Sequence, residues 1–144
     1  MIEQVSVFLE NSTGRLGELT RALGEARIDM HALMVADTEQ FGVVRIICDE
    51  PQRATAILDD RGFGASVTYV TAVEVPDRPG GLADVLEKLG RAGVNVEYAY
   101  CFVEPAGASA VDILKVDDVS AEDVLTAAGF RVLAPSDLYV EDAT

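Results

Sequence analysis

The sequence predicts an α+β protein built from two copies of a βαββαβ unit, residues 1–68 and 69–144, and three observations lead there. First, the chain repeats itself. Gly14-Arg15-Leu16 lies over Gly80-Gly81-Leu82 at an offset of 66, which also pairs Leu19 with Val85, Leu23 with Leu89, Gly24 with Gly90, Ala26 with Ala92 and Ile28 with Val94. Gly62-Phe63 meets Gly129-Phe130 at 67, so one residue is inserted in a loop of the second copy. Second, the hydrophobic period switches between two and about 3.6 in the same order in both copies. Third, no Gly or Pro interrupts Ala65 to Val75, so the last strand of the first copy runs into the first strand of the second. This is the ferredoxin-like arrangement, in which two helices cover one face of a four-stranded antiparallel sheet.

Each element has its own reason. Val5, Val7 and Leu9 alternate with Ser6, Phe8 and Glu10, the period of a strand, and Val73 and Val75 hold the same place in copy two. Leu16, Leu19, Leu23 and Ala26 then form one helical stripe, repeated by Leu82, Val85, Leu86, Leu89 and Ala92. Strands are expected over Asp29 to Thr38 and Phe41 to Cys48, and over Asn95 to Val103 and Ser109 to Val116, turned by Glu39-Gln40 and by Pro105-Ala106-Gly107-Ala108. A second helix starts at Pro51, a residue suited to the first turn, and its counterpart starts after Ser120, a good N-cap with Asp123 three residues on. Gly62 and Gly129 end those helices, and final strands follow near Ala65 to Tyr69 and Arg131 to Ala134.

Composition bounds the function. With 49% hydrophobic and 25% charged residues in 144, the chain is an ordinary globular one, and disorder or fibrous structure is excluded. Eleven basic against twenty-five acidic side chains leave a net charge of −14, which repels phosphate backbones and anionic lipid. No nucleic-acid partner is expected, and no membrane. Two cysteines, Cys48 and Cys101, are too few for a disulfide framework and suggest a reducing, cytoplasmic setting. The start, Met1-Ile2-Glu3-Gln4, lacks a basic region and an apolar run, and nothing approaches the roughly 18 to 20 apolar residues of a membrane helix. Secretion and membrane insertion are therefore not expected.

Two equivalent loops between first strand and first helix break the apolar pattern: Glu10-Asn11-Ser12-Thr13-Gly14-Arg15-Leu16 and Pro76-Asp77-Arg78-Pro79-Gly80-Gly81-Leu82. Both open a helix. A helix N-terminus offers unpaired backbone N–H groups and a partial positive charge, which suits a carboxylate, and Gly80 and Gly81 let another molecule approach the backbone. An ammonium group beside that carboxylate would want Asp77 in copy two, or the neutral Asn11 in copy one. The plain alternative is that Asn11, Ser12 and Asp77 cap helices and Pro79-Gly80 makes a turn.

Asp77-Arg78-Pro79-Gly80-Gly81-Leu82, followed through Leu89 by Ala92-Gly93-Val94-Asn95-Val96, resembles the signature of the ACT domain, a small-molecule sensing module of amino-acid biosynthetic enzymes. Copy one is similar but looser, with Asn11 for the usual Asp, Thr13 for Pro and Arg15 for a small residue; it rests on the repeat and on Ala26-Arg27-Ile28-Asp29-Met30. Phe8-Leu9-Glu10-Asn11, Phe41-Gly42, Glu97-Tyr98-Ala99-Tyr100 and Ser136-Asp137-Leu138-Tyr139 extend the resemblance to stand-alone tandem ACT proteins that regulate amino-acid metabolism. The resemblance implies domains joined side by side through their second strands into one antiparallel sheet, with a ligand pocket where the helix-start loop of one domain meets the second strand of its neighbour. On this chain Asn11, Ser12, Thr13, Gly14, Arg15 and Leu16 would face Asn95, Glu97, Tyr98 and Tyr100. Asp77, Pro79, Gly80, Gly81 and Leu82 would face Met30, His31 and Leu33.

Each singled-out residue also has an ordinary reading. His31 is the one histidine, so a histidine cluster for metal is excluded; it lines a pocket or is a plain strand residue. Cys101 with His31 as base has no third, orienting group, so no catalytic residue is expected. Cys48 lies in the apolar run Val43 to Cys48 and reads as a small buried hydrophobe. Tyr98 and Tyr100 share a strand face, as pocket walls or as sheet packing. Arg15 clamps a carboxylate or is an exposed first-turn arginine. Asp59-Asp60 and Asp117-Asp118 lack calcium-loop spacing and read as solvated surface. Met30 and Met34 can pad a pocket or pack a strand.

The expectation is a non-enzymatic sensor of a free amino acid, without cofactor or metal, acting as a homodimer on a regulated enzyme. The tyrosines favour an aromatic amino acid or histidine as ligand, the methionines and valines a branched-chain one. The alternative is a ligand-free interaction or scaffold module of the same fold, its acidic surface recognising a basic partner. A small enzyme on this scaffold is disfavoured, because no acid, base and nucleophile cluster together.

Overall fold

A computed structural model describes residues 1–37, 40–103 and 109–138. The turn expected at Glu39 and at Pro105 to Ala108 lies outside the described residues, as does Tyr139. The chain forms two compact units, one comprising Glu3–Thr68, the other taking Met1–Ile2 with the described chain from Tyr69 onward.

The first unit runs β1 (Ile2–Glu10), α1 (Arg15–Glu25), β2 (Met30–Asp37), β3 (Phe41–Cys48), α2 (Pro51–Asp60) and the first half of β4 (Gly64–Pro76), with the strands ordered β2-β3-β1-β4. Alternation on β1 sends Val5, Val7 and Leu9 to the helix side. There they pack with Leu19, Ala22 and Leu23 of α1, Val44 and Ile46 of β3, and Ala54 and Leu58 of α2. Phe8 points to the other face and is 71% exposed.

The second unit repeats this with the second half of β4, α3 (Gly81–Arg91), β5 (Val96–Val103), β6 (Ser109–Val116), α4 (Ala121–Ala127) and β7 (Arg131–Leu133), ordered β5-β6-β4-β7. Its core joins Val73 and Val75 of β4 with Val85 and Leu89 of α3, Leu114 and Val116 of β6, and Leu125 of α4. A short helix, α5 (Pro135–Leu138), follows without a counterpart in the first unit. No helix among the described residues is long and apolar enough to cross a membrane.

All four long helices end alike. The Phe63 N–H donates to the Leu58 carbonyl at 2.9 Å and the Phe130 N–H to Leu125 at 3.0 Å, with Gly62 and Gly129 just before them in the left-handed region, as the sequence predicts. Arg27 fills that role after α1 with φ 57°, where copy two has Gly93. Ser120 stands at the N-cap of α4, but its hydroxyl makes no cap bond; Asp118 Oδ1 instead accepts the Ser120 N–H at 2.8 Å, which holds the Asp118 carboxyl below its usual pKa.

Strand bulges are duplicated too. Pairing of β2 with β3 shifts between Met30 and Ala32, and pairing of β5 with β6 between Val96 and Tyr98, so His31 and Glu97 are the equivalent bulge residues. Beyond each bulge the faces are fixed by register. Leu33 and Val35 oppose Ile46 and Val44, and Ala99 and Cys101 oppose Leu114 and Asp112, on the helix side. Because β2 and β5 are edge strands that the helices do not cover, Leu33 and Val35 remain 40% and 44% exposed.

Candidate functional site

The helix-start loops are alike in backbone and differ in side chains. Gly14 and Gly80 are the N-caps of α1 and α3, with φ 87° and 84°, a left-handed conformation that a side chain would strain. Neither helix has a side-chain cap, so Asn11, Ser12 and Asp77 do not cap as their residue types allow. The Arg15 N–H goes to the Ser12 carbonyl at 3.3 Å and the Gly81 N–H to Arg78 at 3.0 Å, and the ladder resumes with Glu18 to Gly14 and Asp84 to Gly80. Among the described residues, the intervening amides of Leu16 and Gly17, and of Leu82 and Ala83, have no acceptor. Each helix start therefore presents a pair of free donors at its positive end.

Acids in the first turn would oppose an incoming anion, and both are paired. Glu18 takes an Arg15 guanidinium bond at 2.6 Å, and Asp84 takes Arg78 at 2.9 Å. Glu18 and Asp84 are equivalent positions, whereas Arg15 and Arg78 are not, so two different arginines do the same neutralising work. Arg15 also lies over the Phe63 ring, 4.5 Å from its centroid, a cation–π contact that occupies it on the helix side.

Gly81 stands where copy one has Arg15. A Cβ on Gly81 would meet the Pro76 carbonyl oxygen and lie 3.2 Å from Val75 Cγ1, so α3 starts directly on its own strand.

In the first unit the loop borders a cavity of about 120 Å³ lined by Leu9, Glu10, Asn11, Ser12, Leu16, Val35 and Gly42. Ligand clefts are usually about 300–1,000 Å³, so this is a partial cradle, with Leu16 at 38% exposure on its rim. A second cavity, about 460 Å³, is lined by Glu74, Pro76, Ser109, Gly129, Phe130 and Arg131. Its polar groups pair with one another: Ser109 Oγ to Glu74 at 2.8 Å and Arg131 to Glu74 at 3.0 Å, bonds that hold the Glu74 carboxyl below its usual pKa.

Register decides which expected site residues meet within a unit. The helix-start loops lie at the ends of β1 and β4, beside the C-terminal ends of β2 and β5. Met30, His31, Asn95 and Glu97 sit at the opposite ends of those strands, roughly 20 Å away at about 3.3 Å per residue. Met30 packs against the first core. The Asn95 N–H donates to Asp117 Oδ1 at 2.9 Å, as Asp29 does to Asp49 at 3.2 Å, and Glu97 pairs with Lys115 at 3.6 Å. Tyr98 and Tyr100 oppose Lys115 and Ile113, half-buried on the face away from the helices, so they do not line their own unit's loop.

One residue near the second loop escaped the sequence reading. Asp112 opposes Val73 on one side and Cys101 on the other, on the helix face of β6, and is 4% exposed. Burial raises its pKa above the usual carboxylate value. The signal was available, as one acid in the every-other-residue series Ala110, Asp112, Leu114, Val116. The Cys101 thiol is raised by burial and then by the Asp112 and Asp77 charges, the reverse of what activates a nucleophile. Cys48 is buried and raised to about 11, consistent with a small core hydrophobe.

An ACT domain pair family matches residues 1–139. Protein BT0572 from Bacteroides thetaiotaomicron is 36% identical, with 96% of this chain and 95% of that one covered and a TM-score of 0.90. The regulatory subunit of aspartate kinase from Thermus thermophilus, in its ligand-free form, is 16% identical over 88% of this chain and 90% of that one, with a TM-score of 0.69. Aspartate kinase from Synechocystis is 18% identical, with 88% of this chain aligning to 24% of that one and a TM-score of 0.59. No curated protein matches.

Proposed function

This chain belongs to the ACT domain pair family, and from that premise we propose that it is a non-enzymatic regulatory module that binds a free amino acid at its helix-start loops. The observation that carries the reading is the pair of unsatisfied amides at each glycine-opened helix start, Leu16 with Gly17 and Leu82 with Ala83, beside first-turn acids already neutralised by arginine. They suit an α-carboxylate. Asp77 and Asn11 stand nearby for the ammonium, with Asp77 the better partner because it is charged.

The cradle in the first unit is too small to enclose an amino acid, and exposed Leu16, Leu33 and Val35 border an unpaired strand edge. A second surface supplied by an edge strand, from the other domain or from a second copy of the chain, would complete it. Met30, His31, Tyr98 and Tyr100 belong to the site only through such a seam. Ligand binding would stabilise that seam and shift the contact that a regulated enzyme reads; a ligand at 100 times its Kd adds about 2.7 kcal/mol.

A thermal-shift screen over the twenty amino acids tests this, followed by calorimetry on Asp77→Ala and Asn11→Ala. A rise with one or two related amino acids, aromatic, histidine or branched-chain, with Asp77→Ala the more damaging variant, supports it. Silence across the panel favours a scaffold module without a ligand.

A further inference from the structure

The two helix-start sites have different floors. Position for position, Val7, Val44 and Val35 in the first unit correspond to Val73, Asp112 and Cys101 in the second, as the registers of β1–β3–β2 and β4–β6–β5 give it. Val44 is fully buried in an apolar cluster, as such a place requires. Asp112 is nearly as withdrawn, at 4% exposure, and burial alone shifts its carboxyl, with no hydrogen-bond or ion-pair partner among the described residues. A lone buried carboxylate is expensive, which the raised pKa of Asp112 reflects, and a hydrophobic side chain would fill the place at lower cost, as Val44 does.

Asp112 stands one residue pair along the sheet face from the place where α3 starts. Gly81 rests on Val75, and Val73 with Asp112 is the next residue pair on the same sheet face, about 7 Å further along. An α-amino acid making one bond at each end spans roughly 8 Å between protein donor and acceptor, since each hydrogen bond adds about 2.8 Å to the molecule's own length. Donors for a carboxylate and an acceptor for an ammonium thus belong to neighbouring residue pairs on one sheet face, a step of the same order as the span of one zwitterion.

We propose that Asp112 is a buried second receptor, beside Asp77, for the α-ammonium of an amino acid whose carboxylate rests on the Leu82 and Ala83 amides, and that Val44 leaves the first unit's site with only the neutral Asn11 in that role. The assignment rests on the amino-acid reading above and adds a specificity residue to it. The two sites are then unequal: the second requires an amino group, and the first accepts a carboxylic acid lacking it nearly as well.

The test is calorimetric titration of the full chain with the twenty amino acids and, for each one that binds, with the carboxylic acid that lacks its amino group (3-phenylpropionate for phenylalanine, 4-methylpentanoate for leucine). Wild type is expected to prefer the amino acid at its tighter site by tenfold or more, and Asp112→Asn to lose most of that preference while binding the desamino acid unchanged. If Asp112→Asn keeps both affinity and preference, Asp112 is not a receptor and the amino-acid reading stands. If wild type binds no amino acid, that reading falls and this one with it. Should the variant not fold, carbon-13 NMR of the wild-type carboxylates decides: the Asp112 signal moves with the amino acid and not with its desamino partner, and a stationary signal overturns the assignment.

Discussion

Gly81 sits so close to the carbonyl oxygen of Pro76 that no side chain fits between them, and this contact sets the start of α3 onto its own strand. Gly81→Ala should therefore destabilise the second unit by about 1–3 kcal/mol through backbone displacement, lowering the melting temperature by roughly 3 to 8 °C. Gly14→Ala, with nothing within 4 Å of the added Cβ, pays only for its left-handed φ, about 1 kcal/mol. Calorimetric melting of both variants checks the order; equal effects would place the close contact elsewhere.

Arg27 occupies the left-handed position after α1 that Gly93 fills after α3. Its side chain makes no hydrogen bond or ion pair among the described residues. Arg27→Gly should stabilise the fold by about 0.5–1 kcal/mol in urea unfolding, the reverse of the usual effect of glycine.

Arg15 is spent on Glu18 and the Phe63 ring. Arg15→Ala should lower stability by about 0.5–1 kcal/mol and, by leaving Glu18 unneutralised, weaken amino-acid binding at the first site by only about two- to fivefold. A tenfold loss of affinity without a change in melting would make it a ligand clamp instead.

Asp112 gives a pH signature. Its folded pKa is raised above the unfolded value of 3.8, so the fold binds its proton more tightly than the unfolded chain does. The stabilising share of this group is complete below 3.8 and is lost as pH rises through the folded value. Asp112→Asn should therefore be the more stable protein at pH 7, by about 1 kcal/mol, and lose its advantage in acid. Parallel urea titrations at both pH values would read it. Stability and binding then move in opposite directions at one residue.

The repeat, the periodicity and the helix-ending glycines made the fold legible, because each is a local pattern written twice. The continuous β4 was legible from the missing Gly and Pro between Ala65 and Val75. The site was legible only in part. Gly14 and Gly80 marked both helix starts, yet Asn11, Ser12 and Asp77 look like caps until the backbone shows glycine doing the capping. The faces of β2 and β5 depend on bulges at His31 and Glu97, which no single-strand alternation reveals, so Tyr98 and Tyr100 fall on the side away from their own loop. Arg15 needed Phe63, 48 residues on, to explain it. Asp112 was visible as a break in alternation, but its meaning came only from its register partners Val73 and Cys101.

The proposed function stands on the helix-start amides holding an amino-acid carboxylate. Amide NMR of the full chain, titrated with whichever of the twenty amino acids raises its melting temperature, tests it most directly. The amide protons of Leu82 and Ala83 should shift downfield and saturate with the binding curve, with Leu16 and Gly17 following at the first site. Saturable shifts confined to the Glu74, Ser109 and Arg131 cavity, with those four amides unmoved, would contradict it.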